Sequence, residues 1–111
     1  MNKDSKIFVA GHNGLVGSAI VRTLKERGYK NIITKSRKEC NLIDPLEVKK
    51  LFEENRIDYV FDAAARVGGI YANDTYSADF IYENTMIQTN LIHYAYKYFV
   101  KKFLFLGSVC I

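Results

Sequence analysis

The sequence predicts an α/β fold on a parallel sheet, and three observations carry that prediction. Four apolar runs, at 7–10, 31–34, 58–62 and 103–107, alternate with stretches whose apolar residues recur at helical spacing. The first run has too few polar positions for a half-solvated strand, the fourth is too apolar for a wet edge, and the connections are long enough for helical crossovers, so a parallel sheet is expected. The first run also leads straight into Gly11, Gly14 and Gly17, and then into a helical pattern.

That opening stretch organises the chain. Gly11 permits a tight turn out of the strand, Gly14 lets backbone approach a pyrophosphate, and Gly17 lets the new helix pack hard on the strand. The helix N-terminus adds unpaired N–H groups and a positive dipole end. A glycine pattern alone also fits a plain structural turn; a strand before it and a helix after it favour dinucleotide binding and a Rossmann-type sheet. The loop residues Gly11, Asn13, Gly14, Leu15, Val16 and Gly17 are the expected cofactor contacts.

The helix after the glycines has apolar positions Leu15, Val16, Ala19, Ile20 and Leu24, with Arg22, Lys25, Glu26 and Arg27 opposite. Gly28 is placed to end it. After the second strand, an acid would accept the ribose 2′-OH of NAD, and an arginine would accommodate the 2′-phosphate of NADP. Lys35-Ser36-Arg37-Lys38 holds no acid before Glu39. Arg37 offers a planar fork for phosphate. A solvated basic loop is the plainer alternative; the location favours NADP.

Asp44, Pro45 and Glu47 read as N-cap, first helical residue and capping-box acid of a second helix, with Val48, Leu51 and Phe52 as its apolar stripe. The third strand runs into Ala63, Ala64 and Ala65, small enough for adenine or ribose to lie against the backbone, or for close strand–helix packing. A long helix is expected over 78–99, with Phe80, Ile81, Ile87, Leu91, Ile92 and Ala95 apolar and Met86, Tyr94, Tyr96 and Tyr98 on other faces. An apolar surface wider than one face needs a second partner beside the sheet, such as another subunit. The expected strand order is 3-2-1-4, the first half of a doubly wound fold. The ligand crevice would then lie between strands 1 and 4, with 11–17 and 108–110 on either side.

The 111 residues are read as one NAD(P)-binding Rossmann domain, 1–111, without an internal linker or repeat. Sixteen Lys and Arg against 12 Asp and Glu leave a net charge of +4, but the cations are scattered without interleaved aromatics. This argues against nucleic acid and suits a small anionic ligand. No run approaches the roughly 18 apolar residues of a membrane span. The first six residues are polar, unlike a signal peptide, and Cys40 and Cys110 form neither a disulfide framework nor a metal site. A reducing cytoplasm is expected.

The G-x-x-G-x-x-G spacing resembles the extended short-chain dehydrogenase/reductase superfamily. Residues 10–20, 63–70, 79–84 and 103–111 together resemble the GDP-L-fucose synthase family, across essentially the whole chain. That resemblance implies epimerisation of GDP-4-keto-6-deoxy-D-mannose at C3 and C5 and reduction of its C4 ketone with NADPH. It implies that Ser108 hydrogen-bonds the substrate carbonyl and that Cys110 is the acid/base of epimerisation; as a residue type, Cys110 also fits a small buried apolar group. It further implies homodimerisation through helix 78–99. Two positions depart from the family pattern: Val109 stands in place of a serine, and Asn13 where some members carry arginine. The family's Tyr-x-x-x-Lys pair, later strands and substrate domain lie beyond the stretch that this chain resembles, and no such pair occurs at a comparable place. The chain is thus expected to be an N-terminal part that alone reduces no sugar. The alternatives are a non-catalytic NADP-binding module and a sister enzyme for another nucleotide sugar.

Overall fold

The computed structural model describes residues 1–64 and 74–106, with residues 74–80 described as helix backbone only. The elements are β1 (Lys6–Ala10), α1 (Leu15–Glu26), β2 (Asn31–Ile33), α2 (Pro45–Glu54), β3 (Tyr59–Asp62), α3 (Asp74–Lys97) and β4 (Lys102–Phe105). The four strands form one parallel sheet. Among the described residues no helix is long and apolar enough to cross a membrane.

The expected class holds, but the order is β2-β1-β3-β4, not 3-2-1-4. The reason lies in the faces that the helices cover. Alternate residues of β1 point to opposite sides of the sheet. Ile7 and Val9 bury with Leu24 of α1, whereas Phe8 and Ala10 bury with Val48, Leu51 and Phe52 of α2 and Leu91 and Ala95 of α3. A right-handed crossover on one face steps one way across the sheet, and one on the other face steps back. The chain therefore moves from β1 to β2, returns past β1 to β3, and continues to β4. The topological switch lies between β1 and β3, so β3 separates β1 from β4. Of the described strands, β4 is an edge, with Leu104 and Phe105 about half exposed.

Local backbone and side-chain bonds close the helix ends. Gly28, at φ 88°, ends α1: its N–H donates to Lys25 O, and that of Tyr29 to Leu24 O. This is a Schellman ending, with glycine where a left-handed residue is needed. The same bond pattern ends α3, with Val100 donating to Ala95 O and Phe99 to Tyr96 O. There the left-handed residue is Phe99, at φ 61°. Asp44 caps α2 by accepting from Leu46 N at 2.9 Å. Glu47 does not close a box on Asp44; its carboxylate reaches further back and accepts from Asn41 N at 3.1 Å.

Two apolar assignments change. Leu15 and Val16 are exposed in the first turn of α1, past the end of β1, where no strand lies beneath them. On α3 the covered stripe is Ile87, Leu91, Tyr94, Ala95 and Tyr98, so Tyr94 and Tyr98 share the core face. Tyr98 stacks on Phe52 at 6.5 Å. Ile81, Ile92 and Tyr96 are exposed.

Candidate functional site

The carboxyl ends of β1 and β3 open into a cleft of about 420 Å³. Its near side is the turn after β1. Gly11 has φ 77°, and a Cβ there would run into the Ala63 carbonyl and come within 2.8 Å of Ala64 Cα. A Cβ on Gly17 would run into the Gly11 carbonyl. Both glycines are thus required by backbone approaching backbone. Gly14 differs: a Cβ there would meet only Gly11 O, at 3.5 Å, an ordinary contact. Gly14 caps α1 without a side-chain bond, and its side of the turn stays open toward the cleft.

The floor is the end of β3. Ala63 N donates to Ala10 O at 2.9 Å, which ties this strand end to β1. Asp62, fully buried, accepts from Ala64 N at 3.1 Å. Its second oxygen has no hydrogen-bond partner among the described residues, and Gln88 faces it without closing a well-formed bond. Burial pushes the Asp62 carboxyl above the usual carboxylate range, and the Ala64 N–H partly offsets that.

The far side is the segment between β2 and α2, from Ser36 to Asp44. Ser36 and Glu39 exchange backbone-to-side-chain bonds: Ser36 N donates to Glu39 Oε1 at 2.7 Å, and Glu39 N to Ser36 Oγ at 3.2 Å. The bond from the Ser36 N–H holds the Glu39 carboxyl below its usual range. That same bond engages Glu39, the first acid after β2, within its own turn. Asn41 Oδ1 accepts from Ile43 N at 3.1 Å, closing a second turn. Buried Asn90 of α3 donates to both Leu42 O and Ile43 O, at 2.9 and 3.0 Å. These bonds fix the far side to α3.

Of the expected cofactor contacts, Gly11, Asn13, Gly14, Arg37, Ala63 and Ala64 line this one cleft. Gly17 is buried beneath the turn, and Leu15 and Val16 point to solvent outside the lining. The glycine turn faces Ala63 and Ala64, since the switch lies between β1 and β3 and not between strands 1 and 4. Ala65, Ser108 and Cys110 lie outside the described residues, as does Val109. Tyr98 and Lys102 do have Tyr-x-x-x-Lys spacing, which the sequence reading passed over. Tyr98 packs in the core and Lys102 is exposed at the start of β4, so they do not share a helix face.

Sequence reasoning missed Leu42, Ile43, Glu83 and Ile87, which also line the cleft, as do His12 and Asn41. Arg37 Nη2 stands 3.6 Å from Glu83 Oε1. A short loop holding Asn41 just before a helix cap was the one available signal. Cys40 also lines the cleft, but burial, reinforced by Glu47, pushes its thiol up to about 11, which leaves it protonated and unreactive at neutral pH. Among the described residues no cluster could hold a metal ion.

A nicotinamide dinucleotide fits these residues. Two glycines clear the backbone at the turn, the third leaves the cleft open, Ala63 and Ala64 give a flat floor, and cations stand at the far end. Comparison with known proteins agrees. The chain is 56% identical over 110 residues to GDP-L-fucose synthase 1 of Arabidopsis thaliana, covering 99% of this chain and 34% of that protein. It is 54% identical over 106 residues to GDP-L-fucose synthase of Escherichia coli K12, covering 96% and 33%. The structure of a GDP-mannoheptose C4 reductase from Campylobacter jejuni with NADP bound superposes with a TM-score of 0.89 at 44% identity, over 95% of this chain and 31% of that one. The chain therefore spans about a third of the length of the curated relatives it matches. Residues 7–111 match the NAD dependent epimerase/dehydratase family across the glycine turn, the switch point and all four strands, and the chain belongs to that family.

Proposed function

We propose that the cleft binds NADP(H) and that these residues form the N-terminal part of a nucleotide-sugar epimerase/reductase making GDP-L-fucose from GDP-4-keto-6-deoxy-D-mannose. One observation carries the cofactor reading: a single cleft is lined both by the glycine turn and by Lys35 and Arg37. The N–H groups of the turn and the start of α1 hold the pyrophosphate. Leu42, Ile43, Ile87, Ala63 and Ala64 of the lining would hold the adenine. Arg37, assisted by Lys35, takes the 2′-phosphate.

When bound, the reduced cofactor supplies the hydride for the C4 ketone. The chain's own residues do the rest of what falls within its length. Ser108 donates to the substrate carbonyl, which makes the neighbouring protons more acidic. Cys110 removes and returns protons at C3 and C5. The exposed Ile81, Ile92 and Tyr96 of α3 serve as a homodimer face, in a reducing cytoplasm. A second reading, a sister enzyme for another GDP-sugar, is favoured by the likeness to the GDP-mannoheptose C4 reductase.

Calorimetry with the two reduced cofactors tests the cofactor reading. NADPH binds more tightly than NADH, and Arg37→Ala weakens NADPH by about 1.5–3 kcal/mol, the scale of a hydrogen bond to a charged group, with NADH nearly unaffected. Equal weakening of both cofactors removes Arg37 from the 2′-phosphate site.

A further inference from the structure

We propose that Glu83 sets the cofactor preference of this cleft by competing with the cofactor's 2′-phosphate for Arg37; the inference rests on the reading that the cleft takes NADP(H). Arg37 comes from the turn after β2 and Glu83 from α3, and both line the cleft. Their separation of 3.6 Å is longer than the 2.7–2.9 Å of a charge-assisted hydrogen bond, so the pair is loose. The Arg37 side chain is 59% exposed and that of Glu83 29%. A pair this open contributes little to the fold, so Arg37 can turn to a better anion at small cost.

Glu83 sits on a better-anchored backbone than Arg37 does. Glu83, Ile87 and Asn90 follow one stripe of α3, at intervals of four and three residues. Asn90 is bonded to Leu42 O and Ile43 O, which fixes this stripe against the far side of the cleft. The backbone of Glu83 is thereby held at the cleft, and a carboxylate within reach of Arg37 repels a phosphate that meets the guanidinium. A neutral 2′-OH meets no such repulsion and can donate to the carboxylate. Glu83 sets a carboxylate beside Arg37, so the discrimination against NAD(H) is narrower than the arginine alone would give.

The test is calorimetric titration of the 111-residue chain with adenosine 2′,5′-bisphosphate and with 5′-AMP. Wild type prefers the bisphosphate. Glu83→Gln widens that preference by about two- to fivefold, the scale of a partly exposed charge pair, and leaves 5′-AMP unchanged or slightly weaker. Glu83→Ala widens it too, which separates loss of charge from a new amide hydrogen bond. A preference that is unmoved or narrowed in both variants overturns the inference while the NADP reading stands. Absence of any preference in wild type, or equal loss of both ligands in Arg37→Ala, overturns the NADP reading and the inference with it.

Discussion

On the glycine side of the cleft the backbone is itself the wall, whereas on the opposite side, from Ser36 to Asp44, side chains hold the backbone in place. Gly11 and Gly17 are fixed by what a single added carbon would strike, the Ala63 and Gly11 carbonyls. The far side depends on Glu39 bonded to Ser36, Glu47 bonded to Asn41, and Asn90 bonded to Leu42 and Ile43. The first arrangement tolerates almost no change of residue and is rigid. The second is a set of exchangeable polar contacts, each worth about 1 kcal/mol, whose geometry can be tuned residue by residue. A cofactor's pyrophosphate is common to both nicotinamide dinucleotides and its 2′ substituent is not. Under the proposed reading, the common group would face the rigid wall and the distinguishing group the tunable one.

The sharpest way to break this contrast is on the glycine side. Gly17→Ala drives a methyl group into backbone that cannot yield, and should cost about 3 kcal/mol or more of stability. Gly14→Ala meets only an ordinary contact and should cost within about 1 kcal/mol of stability, the scale of an N-cap change, while weakening dinucleotide binding. Thermal or urea unfolding beside calorimetry separates the two. Similar stability losses in both variants would remove the distinction between a packing glycine and a ligand glycine.

On the far side the effect should be smaller and divided differently. Asn90→Ala deletes the two bonds to Leu42 O and Ile43 O and should cost about 1–2 kcal/mol. It should also weaken cofactor binding with no change at the glycine turn. Amide exchange would register this as lost protection near 41–44, with 11–17 unaffected. Matching losses in both segments would mean that the two walls form one cooperative unit.

The smallest effect is one of pH, and its sign differs between the sides. Asp62 has its folded pKa raised by burial, so its contribution is full below the unfolded value near 3.8 and is lost as pH rises through the folded value. Glu39 has its folded pKa lowered, so its contribution is present above the unfolded value near 4.5 and is lost as pH falls through the folded value. Acid therefore favours the floor under the glycine turn and loosens the Ser36 turn. An NMR titration should show the Ala64 amide moving at higher pH than the Ser36 amide. Coincident midpoints would contradict the contrast.

What the sequence determined by itself was whatever depends on local sterics and periodicity. Gly11 and Gly17 were legible because only a missing side chain satisfies such a turn. Gly28 was legible because a left-handed helix end favours glycine, although Phe99 occupies the same conformation with no sequence cue. β1 was legible as a buried strand because it lacks polar positions, whereas the equally apolar β4 is half exposed; Asp44 was legible because a capping side chain acts within its own helix turn. Arg37 was found by its distance from the glycines, and it does line the cleft.

Only the tertiary structure decided which face of the sheet each helix covers. A helix's apolar stripe shows that it is covered but carries no label for the side, so α1 and α2 could not be assigned to opposite faces, and the order β2-β1-β3-β4 could not be read. The same ambiguity hid the α3 contribution to the site. Asn90, Ile87 and Glu83 lie more than 40 residues from the loop and turn they meet, and neither Asn90 bonded to carbonyls nor Glu83 near a guanidinium leaves a periodic trace. Contacts between distant segments are fixed by packing a particular pair of surfaces, and that information exists only once the chain has folded.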